Sequence, residues 1–80
     1  MPTAFVLTTV VQGGIERAVE ELSEFENVTE VYSIAGQYDL IIKVQVEEYE
    51  RFAEVIPQQL QSVEGIERTE TLMAFKTYKF

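Results

Sequence analysis

Apolar residues recur along the chain with two different periods, and the changes of period divide it into strands and helices. Residues 4–11 (AFVLTTVV) form a β-rich run that is apolar on both faces, and Gln12-Gly13-Gly14 interrupts it. Apolar residues then recur every three or four positions, as on one face of an amphipathic helix; they are Ile15, Ala18, Val19, Leu22 and Phe25. We therefore predict a first strand and a first helix that ends at Asn27.

The middle of the chain predicts a β-hairpin. Residues 28–35 alternate as a strand with one face formed by Val28, Glu30, Tyr32 and Ile34. Residues 38–46 (YDLIIKVQV) have the highest content of β-branched residues in the chain, which is typical of a strand. Gly36-Gln37 separates the two runs, and glycine supplies the positive φ that tight hairpins need. We expect the two strands to pair with their bend at Gly36.

A second amphipathic segment follows Glu47-Glu48, whose carboxylates suit the positive end of a helix dipole. Pro57 predicts a kink or an early end of this helix near Ile56, and Gly65 ends the segment. Its apolar face is Tyr49, Phe52, Ala53, Ile56, Leu60 and Val63. Residues 66–80 then predict a last, long strand.

The predicted order β-α-β, β-α-β is that of the ferredoxin-like α+β fold, with residues 1–80 as one domain. Right-handed crossovers place the first and third strands in the centre of a four-stranded antiparallel sheet, with both helices on one face. Two helices cover only that face, yet several strands are apolar on both. We therefore expect the other face to associate with a second copy, as in a dimeric α+β barrel.

Composition narrows the function. The chain has no Cys and no His, which excludes disulfides and removes the commonest general base and metal ligand, and we expect no cofactor. Its net charge is −8, with six scattered cations, so we expect neither direct nucleic-acid binding nor docking on an anionic membrane. The apolar run Leu40–Ile42 is far shorter than the roughly 20 residues of a membrane helix. We expect a cytoplasmic protein that is not an enzyme.

Three polar residues have spacing that could serve a ligand. Asp39 is the single aspartate and follows the hairpin bend, where an aspartate commonly caps backbone N–H groups. Thr69 and Thr71 lie two apart on the last strand and would present two hydroxyls on one face, although β propensity alone explains them. Gly13-Gly14 precedes a helix but lacks a phosphate-binding motif. On spacing alone, structural roles account for all of these residues.

The chain nevertheless resembles the effector-binding domain of the Lrp/AsnC (feast/famine) transcription regulators, also called the RAM domain. The resemblance covers essentially all eighty residues. It rests on the hairpin Ala35-Gly36-Gln37-Tyr38-Asp39-Leu40, on the Val28 strand entry, and on the segment from Val63 to Thr71 (VEGIERTET). Full regulators of that family also carry an N-terminal helix-turn-helix domain. Here Met1 leads directly into the first strand, so the chain resembles a stand-alone form.

The resemblance implies a dimer that pairs through its sheets and assembles further into an octamer or decamer. It also implies a small effector, typically an amino acid, bound between dimers, and offers a full-length Lrp/AsnC regulator as a candidate partner. Carried over by position, the effector-binding residues are Gly36, Gln37, Tyr38, Asp39, Thr69 and Thr71. A zwitterion would find a carboxylate for its ammonium there, and hydroxyls and N–H groups for its carboxylate.

Two other interpretations remain open. One is a small dimeric α+β barrel enzyme of the monooxygenase or isomerase kind, which the absence of His and of a paired acid and base disfavours. The other is a structural oligomerisation module that binds no ligand.

Overall fold

The computed structural model describes residues 1–79, which form a four-stranded antiparallel sheet with two helices on one face. The strands are β1 (Thr3–Val10), β2 (Val28–Ser33), β3 (Leu40–Gln45) and β4 (Ile66–Ala74). The helices are α1 (Ile15–Leu22) and α2 (Phe52–Gln58), the latter between the 3-10 turns Tyr49–Arg51 and Leu60–Ser62. The sheet order β2-β3-β1-β4 places β1 and β3 in the centre. The predicted ferredoxin-like fold is confirmed.

The core lies between the helices and the sheet face beneath them. Alternate residues of β1 and β3 are buried there, as the strand period of two requires. The buried apolar residues are Ala4, Val6, Val10, Ala18, Leu22, Leu40, Ile42, Val44, Val46, Phe52, Val55, Ile56, Leu60 and Val63. Each large side chain among them contributes roughly 1.5–3 kcal/mol by leaving water. Helices and sheet are therefore held together by one continuous apolar cluster.

The opposite face of the sheet, which we call the open face, is also apolar at its centre. Phe5 and Leu7 of β1 and Ile41 of β3 are only half-buried. Tyr32 at one edge strand is 50% exposed and Leu72 at the other is 47% exposed. The predicted apolar second face is thus present, and pairing of two copies through it stays a prediction.

The first helix is shorter than predicted. α1 ends at Leu22, not at Asn27, because the chain tightens into turns: the Ser23 hydroxyl donates to the Val19 carbonyl at 2.7 Å, and the Phe25 N–H donates to the Leu22 carbonyl at 3.2 Å. Phe25 still packs against the core from outside the helix. The apolar spacing therefore continued past the α-helix through a tighter turn of i→i−3 hydrogen bonds.

The predicted faces of β2 are wrong at Val28. A register shift in the β2–β3 pairing lies between Val28 and Glu30. β2 has one extra residue there, which interrupts the strict alternation of its two faces. Val28 consequently pairs with Val44 and packs against the core together with Val31, instead of sharing a face with Glu30.

Two predicted ends concern α2 and β4. Pro57 lies in the last turn of α2, which ends at Gln58, so the early end of this helix is confirmed. β4 ends at Ala74, not at residue 80, because its partner β1 begins at Thr3, the residue paired with Ala74. Residues 75–79, which we call the arm, continue beyond the sheet, and Phe80 lies outside the described residues.

No helix in residues 1–79 has the length and apolarity to cross a membrane.

Candidate functional site

The β2–β3 connection is wider than the predicted Gly36-Gln37 turn and covers residues 34–39. It is closed by a hydrogen bond from the Ile34 N–H to the Asp39 carbonyl at 2.9 Å. Gly36 has a φ of +143°, a conformation that side-chain-bearing residues rarely adopt. Gly36 and Gln37 are exposed, and no atom lies within 4 Å of the position that a Cβ on Gly36 would take. The tip of the hairpin is therefore open to a ligand or to another chain.

Asp39 joins this hairpin to β1. Its Oδ2 accepts the Val10 N–H at 2.8 Å, and its own N–H donates to the Thr8 carbonyl at 2.8 Å. The capping role expected of an aspartate after a turn is therefore present. Within residues 1–79, the Oδ1 atom has no hydrogen-bond partner, so one oxygen of the carboxylate stays available.

The Val10 amide is available to Asp39 because the pairing of β1 is irregular at its end. The β1–β3 pairing stops at Thr8, and the β1–β4 register shifts between Thr8 and Val10. The next amide, that of Val11, donates to the Gly65 carbonyl at 2.8 Å. Two consecutive N–H groups at the end of β1 thus hold the hairpin on one side and the start of β4 on the other.

Tyr38 crosses the open face to β4. Its hydroxyl donates to the Glu70 carboxylate at 2.6 Å, and the Arg68 guanidinium lies 6.0 Å from its ring centroid. The bond to Glu70 raises the pKa of Tyr38, with smaller raising effects from burial and from the Glu70 charge, while the Arg68 charge lowers it. The protonated Tyr38 hydroxyl therefore links the hairpin to β4.

Thr69 and Thr71 share one face of β4, as predicted, and this is the face that carries the helices. The Gln61 side-chain amide donates to the Thr69 hydroxyl at 3.0 Å. Thr71 lines an open groove of about 530 Å³ between α2 and β4. We call it the α2–β4 groove, and its lining is Tyr49, Glu50, Phe52, Ala53, Ile56, Pro57, Thr71 and Met73. In the described part of the chain, the Thr71 hydroxyl makes no hydrogen bond.

One chain does not gather all the predicted residues into one cavity. Tyr38 lies on the open face, whereas Thr69 and Thr71 lie on the helix face, and the Asp39 carboxylate is at the end of β1 between them. Strand alternation assigns Glu70 to the face opposite the threonines, which the sequence could have shown.

The contacts of Tyr38 with Arg68 and of Thr69 with Gln61 depend on loops, so no local sequence pattern predicts them.

No group of three or more acidic residues that could hold a metal ion occurs in residues 1–79. What these residues offer is a carboxylate oxygen, a free hydroxyl and an exposed hairpin tip, which can bind a small polar molecule. These features are those of a small ligand-binding domain. The chain belongs to the Lrp/AsnC family: the model of the Lrp/AsnC ligand-binding domain matches residues 3–80.

Individual relatives agree with this family assignment. The chain is 34% identical over 79 residues to the HTH-type transcriptional regulator FL11 of Pyrococcus abyssi, and this match covers 95% of the chain and 50% of the regulator. The crystal structure of TTHA0845 from Thermus thermophilus is 41% identical, has a TM-score of 0.91 and covers 100% of both chains. The transcriptional regulator NMB0573 of Neisseria meningitidis, solved as a complex with L-Met, shares the fold alone: its identity is 15%, its TM-score 0.89, and the match covers 99% of this chain and 53% of that one. The chain thus spans about half the length of the curated regulators it matches.

Proposed function

We propose that this chain is an effector-binding and assembly domain that senses a free amino acid and passes its state to regulators of transcription or to amino-acid metabolism. The observation that carries this proposal is the match of residues 3–80 to a ligand-binding domain. The effector site comprises the residues carried over by position, which are Gly36, Gln37, Tyr38, Asp39, Thr69 and Thr71.

The distribution of these residues supports a site shared between chains. The Asp39 carboxylate and the Thr71 hydroxyl both have capacity for a further hydrogen bond, but they belong to different parts of the surface. In one chain they are separated along β1, since Asp39 caps Val10 at its end whereas Thr71 pairs with Val6, so a small ligand bound by both is better placed between two chains. It can contact Asp39 of one chain and Thr71 of another where two chains meet. Binding would then depend on assembly, as in an octamer or decamer.

The chemistry of the site supports an amino acid. The free Asp39 oxygen suits an ammonium group, since charge-assisted hydrogen bonds are roughly twice as strong as neutral ones. The threonine hydroxyls of the site and the backbone N–H groups of the hairpin suit the carboxylate of the amino acid. The L-Met complex of the Neisseria regulator makes methionine a natural first ligand to test.

The electrostatics support a role without direct DNA contact. The net charge of −8 repels phosphates, and DNA binding requires a cationic surface that releases counterions. The chain would then act in the cytoplasm through a partner, such as a full-length Lrp/AsnC regulator, and not as an enzyme.

Isothermal titration with the twenty amino acids, combined with light scattering, tests this function. We expect at least one amino acid to bind to an assembly larger than a monomer, and Asp39→Asn and Thr71→Val to weaken binding about tenfold, which corresponds to one lost hydrogen bond. Glu24→Gln and Thr29→Val are the matched controls, since both residues are exposed and distant from the site. A chain that stays monomeric and binds none of the twenty would refute the proposal, and an intact assembly without binding would favour the structural module.

A further inference from the structure

The residues of the proposed effector site include the anionic Asp39 but neither Lys nor Arg. A free amino acid brings a carboxylate as well as an ammonium group, and the chain that receives it has a net charge of −8. Hydroxyl and N–H groups donate hydrogen bonds to a carboxylate, but bonds from a cation are roughly twice as strong. These residues therefore provide an opposite charge for one pole of the ligand and not for the other.

Most cations of the chain are paired or lie far from the hairpin. Three of them are in ion pairs, which are Arg17 with Glu64 at 2.6 Å, Lys43 with Glu30 at 3.8 Å and Arg51 with Glu54 at 3.3 Å. Lys76 and Lys79 lie in the arm, which begins where β4 pairs with the start of β1, whereas the hairpin is bonded to the end of β1. Within residues 1–79, Arg68 has no carboxylate at ion-pair distance. Arg68 is therefore the cation that the hairpin can use.

Arg68 and Asp39 contact consecutive residues of β1. The Arg68 N–H donates to the Thr9 hydroxyl at 3.0 Å, and the Asp39 carboxylate accepts the Val10 N–H at 2.8 Å. The two residues approach β1 from opposite sides, because Arg68 belongs to β4 and Asp39 leads into β3. Neighbouring strands are about 4.8 Å apart, so their backbones are separated by roughly 10 Å across β1. A positive and a negative side chain thus flank one short segment of the sheet.

Tyr38 holds the Arg68 side chain toward the hairpin. Its ring extends from the residue before Asp39 across the open face, and the Arg68 guanidinium lies 6.0 Å from the ring centroid. Glu70, on the same face of β4, accepts the Tyr38 hydroxyl at 2.6 Å, and in residues 1–79 it forms no ion pair with Arg68. An aromatic ring orients a guanidinium without neutralising its charge. Arg68 is exposed, so its N–H donors are accessible to an anion.

We therefore propose that Arg68 binds the carboxylate of the effector while Asp39 binds its ammonium group. The site would then select free α-amino acids and reject their amides, as well as amines that lack a carboxylate. A guanidinium presents parallel N–H donors that match a carboxylate, whose oxygens can also accept bonds from hydroxyls and backbone N–H groups. Arg68 adds to the contacts of Thr71 and does not replace them. This inference rests on the proposed function.

Titration calorimetry with L-methionine and L-methioninamide tests the carboxylate contact. Where another of the twenty amino acids binds more tightly, that amino acid and its amide are used. The amide keeps the side chain and, at about pH 6, the protonated amino group, but its carboxylate is replaced by a neutral group. We expect the amide to bind about tenfold more weakly to the wild-type chain, as for a lost charge-assisted bond. In Arg68→Gln, the amino acid should also bind about tenfold more weakly, and the two compounds should differ by less than about threefold.

Two other arginine variants make the comparison specific. Arg17→Gln is the matched control, because Arg17 is an exposed arginine of α1, and this variant should keep the full preference for the amino acid over the amide. Arg68→Lys should keep an intermediate preference, since lysine retains the charge but not the paired donors. Circular dichroism and light scattering show whether each variant has the fold and size of the wild type. A folded Arg68→Gln chain with an undiminished preference would overturn the proposal.

The side-chain nitrogen resonance of Arg68 gives a measurement that needs no functional variant. In a chain with isotope-labelled arginine, the Arg68 Nε–H signal should shift when L-methionine binds and should not shift with L-methioninamide. The signals of Arg17 and Arg51 should stay in place with both compounds. An unshifted Arg68 signal while the amino acid binds would overturn the proposal, even where Arg68→Gln fails to fold or assemble. Binding of no amino acid at all would refute the proposed function, whereas binding in which Arg68 takes no part would refute this inference alone.

Discussion

Replacing Asp39 with alanine should destabilise the fold even without a ligand. The change removes the acceptor of the Val10 N–H, a 2.8 Å hydrogen bond to a charged group, and leaves a largely buried amide without its partner. Hydrogen bonds to charged groups contribute about 1.5–3 kcal/mol. Asp39 is partly exposed, and water can replace part of this bond, so we expect a loss of about 1–2 kcal/mol in the free energy of unfolding.

The conservative change Asp39→Asn separates geometry from charge. The asparagine side-chain oxygen can still accept the Val10 N–H, so only the charge-assisted part of the bond is lost. We expect about 0.5–1 kcal/mol for this variant. Glu24→Ala is the control: the residue is exposed, and such substitutions usually stay within about 0.5 kcal/mol.

Urea unfolding followed by far-ultraviolet circular dichroism measures these differences. All variants must be compared at one protein concentration, because association raises apparent stability by mass action. In thermal unfolding, each kcal/mol corresponds to about 4–8 °C for a domain of this size. Wild-type stability of Asp39→Ala, or equal losses in the Ala and Asn variants, would refute the capping role.

Three other changes probe the fold and the hairpin. Leu22→Ala, at a fully buried position, should cost about 2–5 kcal/mol in urea unfolding, and a loss below about 1 kcal/mol would contradict the packing of α1. Gly36→Ala should cost about 1–3 kcal/mol through backbone strain alone, since its φ is +143° and the space around it is empty; unchanged stability would show that the loop relaxes freely. Glu70→Ala should lower the pKa of Tyr38, measured as the ultraviolet difference against Tyr38→Phe. Because the folded pKa is raised, the stability that this bond provides is present below the ordinary tyrosine pKa of about 10 and is lost as the pH rises through the pKa of Tyr38, so an unchanged titration would contradict the bond.

The sheet and helices could be predicted because burial on one side imposes a period on the sequence. The central position of β1 and β3 followed from their apolar residues and from the handedness of crossovers. Val28 escaped prediction because a bulge shifts register without any change in composition. α1 ended early for a similar reason: Phe25 continues the helical spacing, although its backbone forms a turn.

The candidate site was only partly accessible to the sequence. Alternation correctly placed Thr69 and Thr71 on one face, and turn chemistry anticipated the capping by Asp39. The contact of Tyr38 with Glu70 joins residues 32 positions apart through a loop, and no local pattern encodes it. The groove beside Thr71 is formed by the position of α2 on the sheet. The apolar pattern predicts which face of α2 is buried but not that position.

The Asp39 carboxylate bonds the first of two neighbouring amides, Val10 and Val11, which hold two different elements. Its Oδ2 secures the hairpin to β1, while the adjacent amide secures the start of β4. An ammonium group arriving at the same carboxylate would withdraw electron density from the oxygen that holds Val10, or draw the whole hairpin outward. Ligand binding would then change the hydrogen bonds of the Val10 and Val11 amides. Through the Val11 bond the change would reach Gly65, four residues before Thr69. A spin label or an amide nitrogen resonance at Val10 and Val11 would report occupancy from within the sheet itself.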